Sequence, residues 1–365
     1  MLIYILVFIL INFYYFFIYI NGNNKSLKKK KIFLFFSFLT MFLIMGFRSE
    51  NVGTDTSLYC NIFIKNSTLS FMDILKSGDS AILYVLYNKL VSLFSNDRNA
   101  IIVINSFVIC LLTAIFIYNN SKKNVILPTI LFMSFYHYFS AMNISRQYIA
   151  VLLIANSLYF LKLNKKLPFI FMCICATFIH NTAIISFTLL PIFFIKRNKK
   201  KLYIYLFSLF VIALFLDKII AIFSQIFPHY ELYLNNNLLT EVGQNKKILI
   251  TFIYIIFEII ILILLRKKTL KIEEENSLFI YYFINALAIL IGILSLKIML
   301  LSRIEVYFSI FAIIYIPYIL SFFKDKILYI YIFTLLMILP MLIQLKSNNS
   351  EVLPYENWLF HIKVN

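Results

Sequence analysis

Only six glycines and seven prolines are spread over 365 residues, which leaves no material for a glycine-rich phosphate loop, a collagenous repeat or a disordered linker. Charged residues are scarce too, 14% of the chain against about a quarter in an ordinary soluble domain. The four cysteines form no disulfide or zinc framework: Cys110, Cys173 and Cys175 lie inside hydrophobic runs, and only Cys60 falls in a polar stretch. Cys173 and Cys175 are two apart, so on a helix they point away from each other. No P-loop or dinucleotide fingerprint is present, and no His and carboxylate cluster has metal-ligand spacing.

What is there is hydrophobic. Apolar residues make up 62% of the chain, with 40 Phe and 25 Tyr and a mean hydropathy of +0.88. Crossing a bilayer takes about 17–25 apolar residues of helix. Apolar runs near that length recur at 2–20, 32–47, 100–118, 125–140, 147–163, 168–195, 202–216, 248–265, 277–296, 304–320 and 327–343. They are continuous rather than alternating, which disfavours a β-barrel. The chain reads as an all-α, polytopic integral membrane protein, with residues 1–365 as one membrane-embedded domain.

A net charge of +18 suggests a polyanion partner in a soluble protein. Here most of the lysines and arginines sit in short loops at 25–31, 122–123, 162–166, 196–201, 266–271 and 324–326. Basic loops stay cytoplasmic, so the charge reports topology and no nucleic-acid partner is inferred. The first run has no basic n-region and no small-residue cleavage site, and reads as a retained span. With all six loops inside, residues 168–195 must leave and return, turning near His180 and Asn181, in two limbs of about 14 residues or about 21 Å. A single long helix is the alternative and would force one basic loop outside. The hairpin gives about twelve crossings with both termini outside. Two larger extracytoplasmic segments result, 48–99 and 217–247. Within the first, 81–94 carries Asn88 and Lys89 in its middle and is predicted to be an interfacial or re-entrant amphipathic helix, with a spanning helix as the alternative.

Charges near spans are costly and usually functional. Arg48, Asp55, Arg146, His180 and Arg303 each fall at the outer end of a run, so five separated segments are expected to converge on one outward cavity. In the polar stretch after Phe47, Gly53 permits positive φ or close approach to a ligand, while Asp55 and Thr56 offer acceptors and donors. The plain alternative is that Asp55 or Thr56 caps a helix running through Tyr59. Ser145-Arg146-Gln147 places a guanidinium suited to phosphate oxygens beside a helix N-terminus; a snorkelling anchor is the alternative. Arg303 invites the same two readings. His180 is a candidate general base against a structural histidine, and Glu258, within a run, is expected to pair inside the bundle.

Four stretches in this order resemble the EpsG family of exopolysaccharide polymerases, similar in role to the Wzy O-antigen and capsule polymerases. They are Phe47-Arg48-Ser49 through Gly53-Thr54-Asp55-Thr56 with Tyr59; Ser145-Arg146-Gln147; Ala176-Thr177-Phe178-Ile179-His180-Asn181-Thr182-Ala183; and Arg303 with Tyr307 ahead of Pro317. A closing Pro354-Tyr355 is similar to the family's short extracellular tail. The resemblance implies a membrane glycosyltransferase-type polymerase of the bacterial cytoplasmic membrane. Its substrate would be an undecaprenyl-pyrophosphate-linked oligosaccharide repeat, and its partners the lipid bilayer and other polysaccharide assembly and export proteins. On that reading Asp55 or His180 takes the acceptor proton, and Arg48, Arg146 and Arg303 hold pyrophosphate. Gln147, Thr54 and Tyr59 complete substrate binding, and neither cofactor nor metal is needed, although Glu50 with Asp55 leaves room for a divalent ion. The competing readings are a flippase or transporter of the same lipid-linked oligosaccharide, a glycosyltransferase using a polyprenyl-phosphate sugar, and a structural subunit of an export complex.

Overall fold

The computed structural model describes residues 1–19, 26–121, 125–195, 207, 211, 215, 241–266, 270–296, 299–323, 337–348, 350–360 and 362–364. Nearly all of the predicted run 202–216, the whole of the 217–240 stretch, the first part of the run 327–343 and the basic loops at 122–123, 196–201 and 324–326 lie outside these residues. The chain forms two compact units. One comprises Met1–Tyr159, Leu167–Ile184 and Leu320–Asn365, the other Phe160–Lys166 and Ile185–Ile319.

The first unit is built from α1 (Leu2–Tyr19), α2 (Leu27–Gly46), α3 (Thr56–Ser67), α4 (Phe71–Lys76), α5 (Ile82–Ser92), α6 (Ala100–Asn120), α7 (Ile126–Ser134), α8 (His137–Asn143), α9 (Ser145–Lys162) and α10 (Lys166–Ile179). A 3₁₀ helix, Asn181–Leu189, follows and passes into the second unit at Ile185, and α11 (Ile192–Ile195) belongs to that second unit. Every residue of α7 is buried, and α9 buries Tyr148, Val151, Leu152, Ile154, Ala155 and Leu158 around its circumference. A helix apolar on all sides belongs in the middle of a bundle or a membrane. The outer helices show the reverse face: Phe13, Phe16 and Phe17 of α1, Phe35 and Phe36 of α2, and Phe107 and Leu111 of α6 are exposed. Exposed rings in continuous stripes suit contact with hydrocarbon and would be costly in water.

Helices α2 and α6 pack antiparallel. Lys30 Nζ donates to the carbonyls of Tyr118 and Ser121, and lies 4.5 Å from the centre of the Tyr118 ring. A lysine on the last carbonyls of a helix satisfies orphan acceptors and the helix dipole together. The basic start of α2 and the end of α6 therefore share one end of the bundle, with Gly46 and Ala100 at the other.

The second unit holds α12 (Glu241–Leu265), α13 (Ile272–Leu294), α14 (Met299–Ser309) and α15 (Ala312–Leu320). Gly292 lets α13 approach α12, since a Cβ there would sit 3.0 Å from Thr251 Oγ1. Glu258 does pair within the bundle: Asn285 Nδ2 donates to Glu258 Oε2 at 2.7 Å and to the Tyr254 carbonyl at 2.9 Å, while Tyr315 Oη donates to Asn285 Oδ1 at 2.5 Å. Asn285→Ala leaves three of these groups short of a partner and is expected to cost about 2–3 kcal/mol, read as a lower melting temperature in detergent.

Helix α16 (Ile338–Ser347) and an antiparallel pair, β1 (Tyr355–Asn357) and β2 (Ile362–Val364), close the chain in the first unit.

Three described helices are long and apolar enough to cross a membrane, Leu2–Tyr19, Ala100–Asn120 and Ile272–Leu294, and a fourth span is made if α14 and α15, bent by 42°, count as one. The fold is thus predominantly helical, as read from the sequence, while several runs expected as whole spans are broken. Run 125–140 divides into α7 and α8 at Tyr136, whose φ of +69° is an uncommon left-handed conformation for an aromatic residue. Run 168–195 changes from α to 3₁₀ helix at His180, the residue near which a turn was predicted. The predicted segment 81–94 contains α5, which buries Tyr84, Val85, Asn88 and Val91. Helix α12 begins at Glu241, inside the stretch assigned to the second extracytoplasmic segment.

Candidate functional site

Arg48 leaves the end of α2 and is 1% exposed. Its Nε donates to the Val52 carbonyl at 3.3 Å, Nη1 to the Met45 carbonyl and to Ser106 Oγ at 3.1 Å, and Nη2 to the Met142 carbonyl at 2.7 Å. Burial draws its pKa down to about 10, which leaves it a cation at neutral pH. Four donations tie the 45–52 turn to α6 and to the end of α8. The sequence suggested Arg48 as a phosphate ligand; in the structure its guanidinium is instead engaged by the protein's own acceptors.

The C-terminal strands reinforce this knot. The Ser49 N–H donates to the Glu356 carbonyl at 2.7 Å, the Trp358 N–H to the Phe47 carbonyl at 3.1 Å, and the Gly53 N–H to the Glu351 carbonyl at 2.9 Å. Tyr355 Oη reaches the Ile44 carbonyl at 2.9 Å. Gly53 has φ +97°, and a Cβ on it would meet Thr56 Oγ1 at 2.8 Å and the Met142 carbonyl at 3.1 Å. Gly53→Ala combines a strained φ with a backbone clash, so a loss of about 2 kcal/mol or more is expected, again measured as a melting shift.

Past the glycine the chain turns onto α8. Asn143 Oδ1 accepts from Thr54 Oγ1 at 2.6 Å and from the Asp55 N–H at 2.8 Å. Asp55 is the N-cap residue of α3, its carbonyl accepting from the Tyr59 N–H at 3.1 Å with no side-chain capping bond, so the helix starts where the plain alternative put it and runs through Tyr59. Its side chain is half-buried. Glu50 is ion-paired to Arg98 at 2.7 Å, which engages it away from the divalent-ion role considered for Glu50 and Asp55.

Two residues beyond α8, α9 starts at Ser145, and Arg146 is half-buried in its first turn. The Arg146 Nε donates to the Ile179 carbonyl at 2.9 Å, and its guanidinium carbon lies 4.8 Å from the centre of the Tyr84 ring. Tyr84 is fixed in turn by Tyr59, edge-on at 6.4 Å, and by Asn105, whose Nδ2 also donates to Ser145 Oγ at 3.2 Å. Among the described residues, neither terminal amino group of Arg146 meets an acceptor and no carboxylate neutralises it. A positioned, half-desolvated guanidinium with its outer fork unengaged is a receptor for phosphate or carboxylate oxygens.

The Ile179 carbonyl that holds Arg146 belongs to the residue before His180. His180 is half-buried, with Nδ1 2.7 Å from Thr182 Oγ1, and Asn181 Nδ2 donates to Ser80 Oγ at 2.6 Å. The structure thus brings Thr54 and Asp55, Asn143 to Arg146, and Ile179 to His180 into one neighbourhood. Tyr59 and Gln147 are 8% and 1% exposed, which corrects their reading as substrate contacts: Tyr59 backs Tyr84, and Gln147 is packed inside. Arg303 is an exposed residue of α14, in the second unit.

Asn143, Tyr84 and Asn105 were missed from the sequence. The signal for Asn105 was present, since a lone amide inside an apolar run is a functional or packing site by default. Asn143 lies two residues before Ser145-Arg146 at the edge of a hydrophobic run.

Residues 31–357 match the EpsG family, a range that holds every residue of this neighbourhood. The chain belongs to the EpsG family. No curated protein and no solved structure matches it. Membership carries a role in polysaccharide polymerisation, and the apolar helices agree with a multi-pass membrane protein. The four stretches that carried the resemblance fall inside the matched range, and in this EpsG-family chain the Arg48 to Asp55 stretch and Arg146 are joined through α8.

Proposed function

We propose that this chain polymerises undecaprenyl-pyrophosphate-linked oligosaccharide repeats at the outer face of the bacterial cytoplasmic membrane, with about twelve crossings and both termini outside. The acceptor hydroxyl oxygen of one repeat attacks the anomeric carbon of the growing glycan. The bond from that carbon to the pyrophosphate oxygen breaks, the hydroxyl proton passes to a protein base, and undecaprenyl pyrophosphate leaves carrying the bond's electron pair. Such a step calls for a fixed cation where charge accumulates on the leaving group.

The observation that carries the reading is Arg146, oriented by the Ile179 carbonyl and the Tyr84 ring with its outer fork open. Asp55 and His180 are the candidate bases, one beside Asn143 and the other beside Ile179. Thr54 is exposed and lies at the same place, and Arg303 is a second candidate cation. Arg48, Tyr59 and Gln147 support the site from within.

The test uses membranes containing the protein and a defined lipid-linked repeat, with the glycan ladder as readout. Wild type is expected to build a ladder. A protein that only carries the repeat across the bilayer, with no ladder, is a flippase and the proposal fails.

A further inference from the structure

Below Tyr84 on the same helix face runs the stripe Tyr87, Leu90, Val91 and Phe94, spaced as one face of a helix requires. It faces the first turns of α6, and Trp358 of the C-terminal strands closes the far side of a cavity of about 460 Å³. Leu90, Phe94 and Ile104 are exposed, Phe94 at 91%. The polar atoms of the two aromatic walls, Tyr87 Oη and Trp358 Nε1, are themselves buried, so a molecule inside meets carbon over nearly the whole wall.

The cavity is linked to the arginine through two rings of α5. Tyr87 stacks on Tyr84 with ring centres 5.9 Å apart, and the Arg146 guanidinium lies 4.8 Å from the centre of the same Tyr84 ring. Helix α5 therefore carries Tyr84, the ring beneath the α9 cation Arg146, which lacks a carboxylate partner among the described residues, and, one turn on, a wall of the apolar chamber. Asp97 also lines the chamber, and its charge repels a phosphate. An anionic head belongs at Arg146 and an uncharged chain in the chamber.

We infer that this cavity holds the first isoprene units of a polyprenyl phosphate whose head group sits on Arg146. The inference rests on the function proposed above and adds the place of the lipid chain. Charge complementarity selects the occupant: a free sugar lacks the apolar chain, and a neutral hydrocarbon leaves the arginine unmatched.

The test titrates undecaprenyl phosphate into the purified full chain and reads bound lipid by native mass spectrometry, with phosphatidylglycerol and a soluble disaccharide as competitors. Leu90→Trp with Ile104→Trp fills the chamber from its rim and is expected to weaken undecaprenyl phosphate binding about tenfold, with phosphatidylglycerol retention unchanged. Wild type is measured a second way, by photolysing a bound diazirine-bearing polyprenyl phosphate, with adducts expected within residues 87–104. This second reading does not depend on the variants folding.

If the filled variant binds like wild type while Arg146→Ala does not, the chamber is wrong and the arginine reading stands. If neither substitution changes binding, both fall. Equal displacement by phosphatidylglycerol makes the chamber a site for bulk lipid, and displacement by the disaccharide makes it a sugar site. Either result, or adducts confined elsewhere, overturns the inference.

Discussion

Arg146→Ala is expected to slow glycan chain growth about a hundredfold or more, the scale of losing a donor aimed at developing charge, while the amount of folded protein in the membrane stays level. The side chain is half-buried and, among the described residues, makes one hydrogen bond, to the Ile179 carbonyl, so its removal costs the fold only about 1 kcal/mol. Arg146→Lys keeps the charge but loses the planar fork and the stack on Tyr84, and an intermediate rate follows. The measurement is the initial rate of ladder formation at matched protein level. Equal ladders from wild type and Arg146→Ala would remove the arginine from the mechanism. A parallel fall in folded protein would make it a structural residue.

Arg48→Ala should act in the opposite way, through the fold. Its guanidinium satisfies the carbonyls of Met45, Val52 and Met142 and the Ser106 hydroxyl in a place where water does not replace it. Removing it orphans several acceptors and opens a cavity, a loss of about 3–5 kcal/mol. Arg48→Lys rescues little, because one ammonium cannot span four acceptors that diverge around a planar group. Thermal unfolding of the detergent-solubilised protein, alongside its yield in the membrane, reads the effect. An Arg48→Ala chain that melts like wild type but makes no ladder would return this arginine to the substrate.

The two arginines show how far sequence reading reaches. Both stand at the end of an apolar run among polar neighbours, and both carry the family's likeness, so sequence assigns them one role. They differ in what surrounds them. Arg48 meets backbone carbonyls from three segments, including Met142, 94 residues away. Arg146 meets one carbonyl and the face of a ring. Backbone carbonyls have no side-chain signature, so this difference is written nowhere in the order of residue types. Tyr59 and Gln147 were misjudged for the same reason: a polar or aromatic residue beside a motif reads as a contact until packing shows which way it turns.

Breaks in the apolar runs were equally hard to see. Run 125–140 contains no glycine, yet it divides at Tyr136, and nothing local marks the place. Near His180 the polar pair His180-Asn181 did mark the change of helix, and there the two side chains meet the hydroxyls of Thr182 and Ser80.

Composition, run length and the placement of lysines by themselves determined that this is a helical membrane protein, since the cost of placing backbone and charge in hydrocarbon acts on every residue alike. The ordered motifs determined its family. Only the tertiary structure decided which cation is consumed by the fold and which keeps its donors, and that α5, read as an interfacial helix, carries both the ring under Arg146 and the wall of an apolar chamber. These depend on contacts between residues tens of positions apart, where geometry rather than residue type sets the energy.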